Sequence, residues 1–104
     1  FHYNMTGDMQ YIVRGSGPVS PGKHILKAQF DIDKPEPGAA GTMTLFVDGQ
    51  KVGEGRIEHT YRTWWSNSEG FDVGQDTLTP ISDEYRVSDS KFTGILSRLV
   101  VHLR

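Results

Sequence analysis

Thr42-Met43-Thr44-Leu45-Phe46-Val47-Asp48-Gly49-Gln50-Lys51-Val52-Gly53-Glu54-Gly55-Arg56-Ile57 is the stretch whose reading decides the fold. Thr42 to Val47 and Lys51 to Ile57 are two strand-like runs, and Asp48-Gly49 stands between them. Asp-Gly in that position is a strong hairpin signal, because a type I′ turn requires positive φ at both of its central residues. Gly53 and Gly55 weaken the return arm intrinsically, so they mark a bulge or a close approach of neighbouring backbone.

Working outward, apolar residues recur with a period of two, which places successive side chains on opposite faces of a half-buried strand. From Lys23 to Asp33, Leu26, Ala28, Phe30 and Ile32 share one face, and Lys23, Lys27, Gln29, Asp31 and Asp33 share the other. Met9, Tyr11 and Val13 indicate an earlier strand, ended by Gly15-Ser16-Gly17-Pro18. At the C-terminus Ile95, Leu99, Val101 and Leu103 alternate with Arg98, His102 and Arg104, which predicts a closing strand. Lys34-Pro35-Glu36-Pro37-Gly38 is a loop between strands, since proline cannot donate to a ladder. No helical periodicity of useful length and no internal repeat is present. The expectation is an all-β chain, one domain over residues 1–104, built as an antiparallel two-sheet sandwich around Leu26, Phe30, Leu45, Val47, Leu99 and Val101.

At 104 residues the chain has room for one core and not for a catalytic domain with a second, regulatory one. Eleven basic against thirteen acidic residues give no electrostatic reason for nucleic acid or an anionic membrane surface as partner. The absence of cysteine excludes disulfides, thiolate nucleophiles and sulfur-ligated zinc. No run approaches the ~20 apolar residues of a transmembrane helix, and the start at Phe1 leaves room for an upstream segment.

Chemistry-bearing patterns are sparse. His2, His24, His59 and His102 lie far apart without the spacing that places two imidazoles on one metal; His24 reads as a half-buried strand-end residue, His59 and His102 as solvated. No Gly-x-Ser-x-Gly elbow occurs. Gly53-Glu54-Gly55 has no following helix to offer an anion. Residues 69–89 differ: they hold Glu69, Asp72, Asp76, Asp83, Glu84 and Asp89, with Arg86 as the sole basic residue. Asp72, Asp76, Asp83 and Glu84 are candidate Ca²⁺ ligands, since Ca²⁺ takes six to eight oxygens in irregular geometry. The alternative is a solvated loop in which Asp72 and Asp76 bond turn amides. Two neighbouring carboxylates also admit an acid and base pair for glycoside hydrolysis. Trp64 and Trp65, with Tyr61, are the candidate ligand-binding residues. Adjacent strand residues face opposite ways, so one indole enters the core and the other is available to a sugar ring or a protein, unless both pack on loops of the domain itself.

Residues 41–56, Phe71-Asp72-Val73-Gly74-Gln75-Asp76-Thr77-Leu78-Thr79-Pro80, Lys91-Phe92-Thr93-Gly94 and Pro21-Gly22-Lys23-His24 resemble, in matching order, the C-terminal domain of bacterial arylsulfatases. The resemblance runs from about Tyr11 onward. It implies a concanavalin-like, jelly-roll sandwich that follows a catalytic sulfatase domain and holds neither the metal nor the nucleophile. The family's catalytic motif is Cys or Ser, any residue, Pro, any residue, Arg; the stretch Ser16-Gly17-Pro18-Val19-Ser20 has Ser20 where Arg is required. The likeness departs at Arg62-Thr63-Trp64-Trp65-Ser66-Asn67, which leaves a freestanding, self-associating relative equally consistent. The expected function is a non-catalytic accessory or interaction module that packs on a protein, a sulfatase catalytic domain or itself, without a resident cofactor. The alternative is a carbohydrate-binding module using an exposed Trp and the acidic loop, with or without Ca²⁺.

Overall fold

A computed structural model of the chain describes residues 1–63 and 70–103. By contacts it divides into two units, Phe1–Trp65 and Ser66–Arg104. All regular strands among the described residues lie in the first: β1 (His2–Met5), β2 (Met9–Ile12), β3 (Leu26–Ile32), β4 (Gly41–Val47) and β5 (Gln50–Ile57). They form two antiparallel sheets, β1-β2 and β3-β4-β5. The chain is all-β.

The β4–β5 hairpin forms as its sequence requires. Asp48 and Gly49 have φ of 51° and 81°, so both central residues are left-handed, and glycine takes that conformation at no steric cost. The register slips between Leu45, opposite Gly53, and Phe46, opposite Lys51, so Val52 is the extra residue of a bulge. The two glycines beside it permit close packing. A Cβ on Gly53 would collide with the Arg14 carbonyl, and one on Gly55 would lie 2.7 Å from Val13 Cγ2. Backbone from the end of β2 thus lies directly on β5, and Ser16 N–H donates to the Val52 carbonyl at 2.8 Å.

The sheets meet at a small core. Val13, Met43 and Ile57 are buried, Ile57 with 2 % of its surface exposed, and Tyr3, Tyr11, Phe30 and Leu45 pack against them. Tyr3 lies against Tyr11 and edge-on to Tyr61, and its hydroxyl accepts from Tyr61 N–H at 3.1 Å. The Arg56 guanidinium grips Asp33 with two parallel bonds of 3.0 and 2.6 Å, tying the end of β3 to β5 and holding the Asp33 carboxyl below its ordinary range.

Three expectations are corrected. Residues 95–103 form no strand: their alternation is real, but nothing among the described residues supplies the ladder that would turn it into one. The core is smaller than expected, since Leu26, Leu99 and Val101 are more exposed than buried, while Phe30, Leu45 and Val47 are half-buried. The long strand begins at Leu26 rather than Lys23, because the chain up to Ile25 is held by side-chain bonds to the hairpin turn. β1 was not legible, because all four of its residues are half-buried and give no alternation. The second unit is held mostly by turns, with one short 3₁₀ turn at Val87–Asp89.

Candidate functional site

Three places in the fold bring chemistry-bearing groups together, and the simplest to read is the turn of the β4–β5 hairpin. Asp48 uses its left-handed turn position to aim its carboxylate back along the sheet. Oδ1 accepts from Ile25 N–H at 2.9 Å, and Oδ2 lies 2.6 Å from His24 Nδ1. The other ring nitrogen, Nε2, sits 2.7 Å from the Ser20 carbonyl and 3.2 Å from Ser20 Oγ. Ser20, His24 and Asp48 are therefore connected in the order of a hydrolase triad, which residue spacing did not indicate because Asp48 is 24 positions from His24. The protons argue against that chemistry. A carboxylate faces one nitrogen and a carbonyl the other, both acceptors only, so the ring is satisfied when it donates from both sides. The bond to Asp48 is the largest effect and raises the His24 pKa above 6.5; burial opposes it, and the bond to the Ser20 carbonyl adds a smaller upward push. Donation from both ring nitrogens leaves no lone pair for the serine proton, and Nε2 lies closer to the Ser20 carbonyl than to Ser20 Oγ. The bond to Ile25 N–H and the one to His24 hold Asp48 below its ordinary value. The pair latches the loop before β3 to the hairpin, and His24, with 19 % of its side chain exposed, is the half-buried strand-end residue expected.

The second place is an open hollow of about 530 Å³ in residues 70–90, lined among others by Phe71, Asp72, Asp76, Ile81, Tyr85 and Ser90. Tyr85 organises it: its hydroxyl donates to Asp76 Oδ2 at 2.5 Å and accepts from Ile81 N–H at 3.0 Å. Ser90 Oγ receives Asp76 N–H at 2.9 Å. Asp72 Oδ2 accepts from the amide and the hydroxyl of Thr77 at 2.9 and 2.7 Å, the turn-bonding role that acidic loop residues take. The Phe71 ring, 80 % exposed, offers a bare apolar surface. Hollows of this size suit small ligands.

Of the residues singled out from sequence, Asp72 and Asp76 line this hollow, whereas Asp83 and Glu84 lie exposed on the turn before Tyr85 and are not among its lining residues. Among the described residues no three acidic or histidine side chains come together as a metal would require. Tyr61 is half-buried against Tyr3. Trp64 and Trp65 lie outside the described residues. Tyr85, which sequence reading passed over, was signalled only as an aromatic ring within the acidic stretch.

The third place is apolar. From Ile95 to Leu103 every large aliphatic side chain is at least half exposed, Ile95 at 93 % and Leu103 at 92 %. Taken by itself, the first unit has β3 as an edge strand, paired among the described residues with β4 alone, and Leu26 on the face it shares with Phe30 is 66 % exposed. The opposite edge strand, β5, is covered by Arg14 to Ser16. Among the described residues no helix is long and apolar enough to cross a membrane. No family model, curated protein or solved structure matches the chain.

Proposed function

We propose that the chain is a non-catalytic accessory module, a two-sheet sandwich of the jelly-roll, concanavalin-like kind, that packs on protein through the apolar residues 95–103. The observation that carries this reading is the exposure of six aliphatic side chains within those nine residues. Contiguous apolar surface of that kind marks an interaction site in a folded protein. The likeness of residues 41–56 and 71–80 to the C-terminal domain of arylsulfatases supports it and names the partner class, a sulfatase-type catalytic domain or another copy. The absence of the Cys/Ser-x-Pro-x-Arg motif and the proton arrangement at His24 support a non-catalytic role.

Calorimetry tests it in two arms: titration into an arylsulfatase catalytic domain stripped of its own C-terminal domain, and dilution of the chain alone. Heat in either arm that disappears with the double substitution Leu99→Asp, Val101→Asp is the expected result. No heat in either arm would sink the reading.

A second reading rests on the hollow. An exposed Phe71 ring beside Asp72, Asp76 and Tyr85 combines a stacking surface with hydroxyl acceptors, the requirements of a carbohydrate site. A glycan array decides it. Binding should fall with Phe71→Ala, and with Trp65→Ala if the indole pair contributes. A blank array removes it.

A further inference from the structure

Resting on the protein-docking reading above, we infer that the partner is a second copy of this chain, and that residues 97–103 of one copy add as an antiparallel strand to the open edge of β3 in the other. Both halves of such an interface are on the molecule. β3 presents seven residues, Leu26–Ile32, whose outer edge has no neighbouring strand among the described residues. Residues 97–103 also number seven, carry Leu99, Val101 and Leu103 on one parity and Arg98, Val100 and His102 on the other, and form no strand. An open edge templates the pairing of an extended segment, and main-chain bonds with alternating side-chain contacts hold it there.

The side chains select a register. With Leu26 opposite Leu103, the inner face pairs Leu26 with Leu103, Ala28 with Val101 and Phe30 with Leu99. This face continues the one on which Met43 and Leu45 lie opposite Phe30 and Ala28. On the outer face Arg98 then stands opposite Asp31, a carboxylate that already accepts from Gln29 Nε2 at 2.9 Å and would take Arg98 as an additional partner. Slipping the segment by two residues one way places Ser97 opposite Phe30. Slipping it the other way moves Arg98 to Asp33, whose two oxygens Arg56 already holds. A slip of one would turn the apolar set outward. The segment carries Arg98 and His102 and no acid; β3 carries Lys27 and Asp31 and is followed by Asp33, so the complementary pair of this register is Arg98 with Asp31, while His102 stands opposite Lys27. Among the described residues Arg98 has no ion pair of its own. The pairing would also cover Leu26, Leu99, Val101 and Leu103, exposed by 66 %, 52 %, 67 % and 92 %, in both copies.

Charge reversal in trans is the test, read by sedimentation velocity with circular dichroism to show that each variant is folded. The wild type should sediment as a dimer of twice 11.6 kDa. Asp31→Arg and Arg98→Asp should each be monomeric, because each places like charges opposite one another. Mixed together they should form a heterodimer, since both of its interfaces regain opposite charges. An arrangement within one chain cannot be rescued by mixing. A monomeric wild type, or single variants that stay dimeric, would overturn the inference. A monomeric wild type that still gives heat with the sulfatase catalytic domain would overturn the inference alone and leave protein docking standing.

Discussion

Residues 1–63 and residues 70–103 have similar apolar content but use it differently. In the first region strands pair, the Asp48-Gly49 turn and the Val52 bulge fix their register, and Val13, Met43 and Ile57 are buried, Ile57 fully. In the second, tyrosine and serine hydroxyls hold turns together while Phe71, Ile95 and Leu103 remain in solvent. Alternation alone does not bury a residue. In the first region paired strands bury Met43 and Ile57, whereas in the second the alternating residues 95–103 have no paired strand among the described residues and stay exposed.

The sharpest way to break that contrast is core truncation. Ile57→Ala should cost about 3 kcal/mol in urea unfolding, as removal of a fully buried aliphatic group does, whereas Ile95→Ala should stay within about 0.5 kcal/mol for the unassociated chain. Equal losses would mean that the C-terminal segment belongs to the same core. Gly53→Ala comes next. Its Cβ meets backbone that cannot rotate away, so a loss of roughly 1–3 kcal/mol is expected, larger than for Gly55→Ala, where the Val13 side chain can turn aside.

Tyr85→Phe removes the hydroxyl between Asp76 and Ile81, and should cost about 1 kcal/mol or less, seen as faster exchange at the Ile81 amide with no change at β4. A chelator should leave the melting temperature unmoved, because Asp72 and Asp76 are already engaged by Thr77 and Tyr85. A rise on adding Ca²⁺ would support the cation reading of the acidic loop.

The smallest effect expected is the pH dependence of the latch. His24 has its pKa raised in the folded chain, so its support is complete below the ordinary value of 6.5 and fades as pH rises through the folded value. Asp48 has its pKa lowered, so its support is present above the ordinary 3.8 and fades as pH falls through the folded value. The pair is strongest between those ordinary values. His24→Gln should flatten the alkaline side of the stability profile, and an unchanged profile would remove the latch.

The hairpin was the most legible element, since Asp48-Gly49 and the two glycines after it each answer a local steric demand that leaves its mark on sequence. The latch was not, because it joins positions 24 and 48 through a turn geometry that spacing does not encode. The hollow was half legible. Acidic density drew attention to Asp72 and Asp76, but their partners, Thr77 and Tyr85, are fixed by where the loop folds back. The closing strand was legible as a pattern and absent as an element, because period two reports which faces a segment would have and says nothing of which strand will pair with it.

The proposed addition of residues 97–103 to the open edge of β3 predicts new main-chain hydrogen bonds in both segments. Amide exchange of the intact chain across a wide range of concentration tests it most directly. Protection of the 97–103 amides that grows with concentration, together with new protection along β3, is the predicted result. Exchange at the unprotected rate at every concentration, with β3 unchanged, would contradict it.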